Sequence, residues 1–248
     1  MARRKSLAFL DVGQGDCFVA DTKSGAIIFD GGSSSEDQVG RYRILPYMKY
    51  LGYQKIQIAV ISHMDIDHYS GIKELLEMGK IKYLGLPEIP KDATMKKIIG
   101  IAKKLGTTIF YLSRGRQITT KDGSLKVLHP QKNSQMEKNA ASLVMQGKIL
   151  GYRVLLTGDV EKEGEEELLS EELERADILK AAHHGSKNST SNEFLQKVQP
   201  KKTVISCGKQ NRYGHPHLET IHRLQTYRTK IYRTDRSGAI IFFKRRDG

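Results

Sequence analysis

The chain contains no tryptophan, two cysteines, and only 7% aromatic residues over a length of 248. Cys17 and Cys207 are far apart and form no CxxC pair, which excludes a disulfide framework. Reduced, buried thiols in a cytoplasmic chain are the expectation. With so few aromatics, an aromatic cage for a quaternary ammonium ligand is disfavoured. Long apolar runs are missing too, since none approaches the roughly 20 residues that cross a bilayer. The N-terminal apolar run is stopped by Asp11 and carries no cleavage pattern, so it does not make a signal peptide. No linker, low-complexity segment or repeat interrupts the chain, and residues 1–248 read as one domain. Acidic residues are in short supply, 28 against 41 lysines and arginines, for a net charge of +13. That balance favours a polyanionic partner such as nucleic acid, or an anionic surface.

What is present is a series of short apolar strands that end in ligand-type residues. Residues 56–61 are apolar and β-branched and read as a buried strand. They lead into His63, Asp65, Asp67 and His68, and Gly71 then opens a segment of helical spacing. These four side chains are expected in the loop between strand and helix, where rigid scaffolds place chemistry. In an extended segment His63, Asp65 and Asp67 point the same way, and His68 joins them as the chain turns. Imidazole together with carboxylate suits zinc, manganese or iron. The plainer alternative is a polar loop whose Asp67 caps the next helix.

Other strand ends repeat the pattern. The strand over 26–29 ends in Asp30-Gly31-Gly32, where Asp30 is placed to orient a ligand histidine. The strand over 152–157 ends in Gly158-Asp159, and the one over 177–182 runs into His183 and His184. The strand over 203–207 precedes Asn211-Arg212-Tyr213-Gly214-His215-Pro216-His217. Six of the eight histidines therefore fall in three clusters after apolar strands. Helices are expected over 41–51, over 92–105 with Asp92 as N-cap, over 161–174 with an acidic, solvated face, over 191–198 behind Ser191, and over 218–227. Strands interleaved with helices suggest an α/β sandwich of two sheets covered by helices. If these loops share one rim, they would hold two metal ions bridged by Asp159 and a hydroxide, suited to clamping a phosphoryl group.

The HxDxDH loop, the strand before it, Asp30-Gly31-Gly32 and Leu156-Thr157-Gly158-Asp159 resemble the metallo-β-lactamase superfamily over essentially the whole chain. Residues 10–16, 176–186 and 211–217 resemble more narrowly the C-terminal domain of ComEC/Rec2-like DNA-uptake proteins. The resemblance implies a four-layer αβ/βα sandwich with a metal site at one edge. It assigns His63 and Asp65 to a first ion. Asp67, His68 and His184 go to a second, with His183 as the alternate or as a residue behind the ligands, and Asp159 bridges both. Two departures stand out. Asp65 occupies a position where many members have histidine, and residues 139–142 replace the usual third histidine. Asn139 and Ser142 thereby become candidates for substrate contact. His129, a strand end before Pro130, is not expected to fill the gap. So oxygen-rich a site tilts the metal from Zn2+ toward Mn2+.

His215 and His217 flank Pro216 before a helix, where they would bind or protonate a phosphate oxygen. Lys187, Arg212 and Tyr213 would assist, and Asp67 would share in catalysis. The function implied by the resemblance is a metal-dependent phosphodiesterase acting on DNA, of the kind thought to degrade the strand that is not imported. The alternatives are a hydrolase of a small phosphodiester or lactone, and a non-catalytic nucleic-acid-binding module with an incomplete metal site. DNA is the expected partner, joined by a membrane DNA-uptake channel if the domain derives from one. In that case the location is extracytoplasmic or membrane-associated rather than cytoplasmic.

Overall fold

Two seven-stranded sheets lie face to face in the computed structural model, which describes residues 4–136 and 139–245. In the first sheet β1 (Ser6–Phe9), β2 (Phe18–Thr22) and β3 (Gly25–Phe29) form an antiparallel meander. β4 (Ile56–Val60), β5 (Ile81–Pro87) and β6 (Thr108–Leu112) continue it in parallel. In the second sheet β7 (Gln117–Thr120), β8 (Gly123–His129), β9 (Val144–Ile149) and β10 (Tyr152–Leu156) pair antiparallel. β11 (Ile178–Lys180), β12 (Lys202–Ile205) and β13 (Lys230–Arg233) then run parallel. The last strand, β14 (Ile240–Phe243), returns to the first sheet and pairs antiparallel with β1. Each sheet thus passes from antiparallel to parallel pairing, and the halves repeat one topology. Hairpins serve the antiparallel part, whereas parallel neighbours need crossovers, which here carry most of the helices.

Alternation along the strands builds three apolar layers. Leu7, Phe9, Phe18 and Phe29 of the first sheet meet Leu125, Met145, Val154 and Leu156 of the second in the core between them. Phe9 and Phe18 rings lie 5.0 Å apart there, and truncating Phe9 to alanine would cost about 3–5 kcal/mol. On the outer face of the first sheet, Ala8, Val19, Ile28 and Ala59 pack with Met48, Ile72, Leu75 and Ile98. Those partners come from helices α1 (Leu45–Tyr50), α2 (Ile66–Glu77) and α3 (Ala93–Lys104). The second sheet is covered likewise by α4 (Lys162–Leu169), α5 (Asn192–Val198) and α6 (Leu218–Thr226). Leu168, Phe194, Leu195 and Leu224 sit there on Leu155, Leu179 and Ile205. The result is the helix–sheet–sheet–helix sandwich expected. Among the described residues no helix is long and apolar enough to cross a membrane.

Local differences from the sequence expectations have identifiable causes. Asp92 caps α3 as expected, its carboxylate accepting from Met95 N–H, and Ser191 caps α5 through Phe194 N–H. The segment 41–51 is split into a π-helical stretch, Gly40–Ile44, and α1, with Pro46 tolerated in the first turn. The acidic helix α4 stops at Leu169 rather than continuing to 174. Its face is not simply solvated, because Glu165 is buried and accepts hydrogen bonds from Thr190 and Ser191 N–H. A short helical turn, α7 (Thr234–Ser237), was not anticipated.

Candidate metal centre

β3 and β4 end side by side, and the residues beyond them lock together. Asp30 has φ of +58° and a fully buried carboxylate. One oxygen accepts from Ser62 N–H at 2.7 Å and the other lies 3.0 Å from His68 Nδ1. Gly31 N–H donates to His68 C=O at 2.8 Å. At Gly32 a Cβ would come within 2.5 Å of Ile66 O and 2.6 Å of His68 N, so only glycine admits the start of α2 there. That start corrects the sequence expectation. α2 begins at Ile66, with Asp65 as N-cap residue, so Asp67 and His68 lie on its first turn and only His63 and Asp65 precede it.

The second sheet answers from β10 and β11. Gly158, at φ +51°, turns the chain after β10, and Asp159 N–H donates to Ser142 Oγ at 3.3 Å. Beyond β11 the 3-10 turn Ala182–Gly185 holds His183 and His184 at φ +46° and +52°. Two successive left-handed side-chain residues are strained, and such strain concentrates at functional sites. His184 Nδ1 lies 2.9 Å from Ser206 C=O.

These elements bring Asp67, His68, Asp159 and His184 into one cluster, with a ligand atom of each within 4.8 Å of all the others. His68 Nε2 lies 3.1 Å from Asp159 Oδ2, and His184 Nε2 is 3.4 Å from Asp159 Oδ2 and 3.3 Å from Asp67 Oδ2. Among the described residues, Nε2 of His63, His68 and His184 and Oδ1 of Asp159 are buried without a hydrogen bond. Each histidine engages an oxygen through Nδ1, which for His63 is Ser62 Oγ at 3.0 Å. Buried polar atoms are otherwise paired, and imidazoles fixed through one nitrogen while the other enters a shared cluster, as with His68 and His184, are how metal-ligating histidines are held. The residues therefore fit a divalent metal. The charge balance agrees. Burial opposes the imidazolium forms of His68 and His184, yet Asp159, helped by Asp30 at His68 and by Asp16 at His184, holds both pKa values well above the ordinary histidine range. Burial likewise opposes ionisation of Asp159, but His184 and His68 keep it well below the carboxylate range. The cavity calls for positive charge.

Comparison with known proteins now decides the family. The model described as the metallo-β-lactamase superfamily matches residues 10–209. The chain belongs to the metallo-β-lactamase superfamily. ComE operon protein 3 of Bacillus subtilis (strain 168) is 36% identical over 259 residues, covering 96% of this chain and 33% of that protein. Competence protein ComA of Neisseria gonorrhoeae is 30% identical over 245 residues, covering 96% and 32% respectively. These relatives place the chain in the ComEC/Rec2-like subgroup, and the chain spans about a third of their length. Among solved structures, the metallo-β-lactamase fold protein YhfI from Bacillus subtilis aligns with a TM-score of 0.63 at 14% identity, covering 95% of this chain and 99% of that one. The short form of human tRNase Z aligns with a TM-score of 0.55 at 13% identity, covering 96% and 100%. At such identities the likeness speaks for the fold alone.

Within this superfamily fold the remaining candidates take distinct places. His63 lies 4.1 Å from His68, centroid to centroid, with the rings tilted by 49°, and its Nε2 is 3.7 Å from Asp65 Oδ2, so the pair sits beside the four-residue cluster. A cavity of about 180 Å³, walled by Met64, Ile89, Pro90, Met95 and Met136, adjoins His63. His183 stands off from the ligand atoms: its Nδ1 is bound to Glu161 at 2.7 Å and its Nε2 is 3.8 Å from Asp159. His129 is buried on Ala140 C=O and Glu167, away from the cluster. Ser142 is wholly buried, and its hydroxyl accepts from Asp159 N–H. Asn139 is half-buried and its carbonyl accepts from Ser142 N–H.

The loop 211–217 closes over the cluster from the second sheet. Asn211 braces it, donating to Gly208 and His215 carbonyls and accepting from His215 N–H. His215 is 9% exposed and lies 5.3 Å from His183 and 6.1 Å from His184 between ring centroids. Burial, with His184 and His183 beside it, lowers its pKa to about 4. The neutral imidazole is thereby favoured near pH 7. His217 caps α6 and its Nδ1 accepts from Lys187 N–H at 3.1 Å. Lys187, Arg212 and Tyr213 are exposed.

Sequence reasoning missed Asp16, Lys180 and Glu161. Asp16 and Lys180 form a buried ion pair at 2.5 Å behind the ligands, and Asp16 Oδ1 is 3.5 Å from His184 Nδ1. Burial opposes ionisation of Asp16, but Lys180 and His184 lower its pKa to about 2. The available signal was a lysine at the end of the otherwise apolar strand β11.

Proposed function

We propose that the chain is a metal-dependent phosphodiesterase that hydrolyses DNA. The observation that carries this is the convergence of unpaired, buried ligand atoms from both sheets on one point beneath a basic, histidine-rich loop. Bound divalent ions, Mn2+ or Zn2+, supply a nucleophilic hydroxide at neutral pH and Lewis acidity at the phosphoryl group. Asp67, His68, Asp159 and His184 would hold one ion, and His63 with Asp65 would begin a second position beside it. Asp30 and the Ser206 carbonyl fix the two ligand imidazoles by their Nδ1 atoms. Glu161 holds His183 behind Asp159. His215 keeps Nδ1 unpaired among the described residues, which leaves that atom to hydrogen-bond a substrate oxygen or a water. His217, with Nδ1 engaged, offers Nε2 to a phosphate oxygen. Lys187 and Arg212 supply charge for flanking phosphates. Because both sheets donate ligands, residues 1–248 act as one catalytic unit.

A net charge of +13 and relatives named for competence support DNA over a small phosphodiester or lactone. Those longer relatives also support association with a DNA-uptake assembly. The experiment is degradation of plasmid and single-stranded DNA by the purified chain across Mn2+, Zn2+ and Mg2+. Abolition by Asp67→Ala and by Asp159→Ala is expected, and undiminished degradation by both variants would overturn the proposal. One observation favours a second reading, a nucleic-acid-binding module with an incomplete site: Asp65 is 35% exposed, and the four-residue cluster includes neither it nor His63. A metal-independent gel shift without hydrolysis in any metal is the outcome that would select it.

A further inference from the structure

Most exposed large apolar side chains need no explanation, but three on this chain are neighbours in sequence of cluster or loop residues. Ile66, 54% exposed, lies between Asp65 and Asp67, Leu218, 71% exposed, follows His217, and Tyr213, 42% exposed, precedes His215 by two residues. Tyr213 is the most constrained of them. Its ring lies against His215 at 5.7 Å with an interplanar angle of 20°, and His215 lies 6.1 Å from the ligand His184. The Arg212 guanidinium lies over the same ring, 4.9 Å from its centroid, and Arg212 Nη2 donates to Tyr213 Oη at 2.7 Å. The backbone beneath is fixed by Asn211 and by Gly208 N–H, which donates to Gln14 Oε1 at 3.0 Å. A pre-positioned aromatic ring, 42% exposed, that carries a guanidinium and is separated from the ligand His184 by one imidazole matches what binds an unpaired base next to its phosphate.

We infer that Tyr213 is a stacking platform for one unpaired nucleobase beside the scissile phosphate, with Arg212 on the neighbouring phosphate, so that the substrate is presented as a single strand. This rests on the nuclease reading above. A base inside a duplex has both faces covered by its neighbours and cannot reach the platform without unstacking.

The experiment uses the full chain with Mn2+ and a hydrolysis-resistant phosphorothioate single strand carrying 2-aminopurine, followed by anisotropy and by base fluorescence. The wild type should bind and quench the probe. Tyr213→Phe should preserve both signals, because the aromatic face remains. Tyr213→Ala should abolish the quench and weaken binding by about 5- to 150-fold, the worth of one stacked base. The same substitution should change binding of a blunt duplex less than 2-fold. Wild-type affinity and quench in Tyr213→Ala would overturn the platform while DNA cleavage still stood, as would an equal loss on single strand and duplex. A wild type that hydrolyses bis(p-nitrophenyl) phosphate but neither binds nor cuts any DNA would overturn the nuclease reading, and the platform with it.

Discussion

His184 Nε2 and Asp67 Oδ2 lie 3.3 Å apart, and through them the second sheet touches the first. His184 follows β11, whereas Asp67 rides on the first turn of α2 after β4. The two halves of the sandwich share a large apolar core, but here they meet through polar groups whose donor set suits a divalent cation. A ligand that binds only this folded arrangement stabilises it by mass action.

Divalent metal should therefore raise the melting temperature measured by scanning calorimetry. At a metal concentration 100 times Kd the gain is about 2.7 kcal/mol. EDTA should reverse it. Asp67→Ala and His184→Ala should each remove most of the shift. A metal-induced shift that survives in both variants would place the ion elsewhere.

The Asp16–Lys180 pair predicts a different signature. Lys180 is 4% exposed, and with Asp16 it forms a charge pair isolated from solvent. Lys180→Met strands a buried carboxylate and should cost about 3–5 kcal/mol in urea unfolding. The double variant Asp16→Asn/Lys180→Met should recover much of that loss, because no lone charge remains. If the double variant is as unstable as the sum of the singles, the pair is not coupled.

The parts of this site that could be read from the chain are those whose signal is local. Histidine clusters and Asp159 follow apolar strands directly, so each could be recognised within about ten residues of sequence. Asp16 could not, because its partners Lys180 and His184 arrive from the other sheet. The start of α2 was also illegible. Residues 65–68 carry no helical apolar spacing, and Gly71 resembles a breaker. In the fold Gly71 lies inside α2, where a Cβ would sit 2.7 Å from Gly31 O and 3.0 Å from Gly40 N. It is glycine so that the Asp30-Gly31-Gly32 turn and the residue at 40 can cross the helix closely. Glu165 was hidden in the same way, since a run of acidic residues looks alike whether one member is buried or none.

Acid should destabilise the chain partly through His215. Its folded pKa is about 4, below the ordinary 6.5 of the unfolded chain. The unfolded state therefore binds the proton first, so this contribution is complete above pH 6.5 and is lost as pH falls toward 4. His215→Gln should flatten the stability profile in that window, measured by urea unfolding at pH steps between 4 and 7. An unchanged slope there would show that His215 is not held neutral.

Glu165 anchors the loop that follows His184. Its carboxylate accepts from the N–H groups of Thr190 and Ser191, within a helix face that is otherwise acidic and solvated. Burial raises its pKa despite those donors. Glu165→Ala leaves both N–H groups without this acceptor, each at about 1–3 kcal/mol. Glu165→Gln should recover roughly one of them through its amide oxygen. Faster hydrogen exchange at Thr190 and Ser191 is the specific readout, and normal protection in Glu165→Ala would refute the anchor.

The two metal positions should differ in affinity, and His63 separates them. Four ligand atoms surround one position, three of them from residues no more than 3% exposed, with Asp67 as the most accessible of the set. The other, as proposed, would have His63, 1% exposed, and Asp65, 35% exposed. Fewer protein donors and more water in the shell mean weaker retention. Calorimetric titration of the metal-free chain with Mn2+ should give one tight and one weak class of site. His63→Ala should delete the weak class and leave the tight one within a few-fold of wild type, because His68 is oriented independently by Asp30 at 3.0 Å. Asp67→Ala should do the reverse, removing the tight class first. Two sites of equal affinity, or loss of both in His63→Ala, would mean that the positions fill as one unit and that the exposed carboxylate is a full ligand.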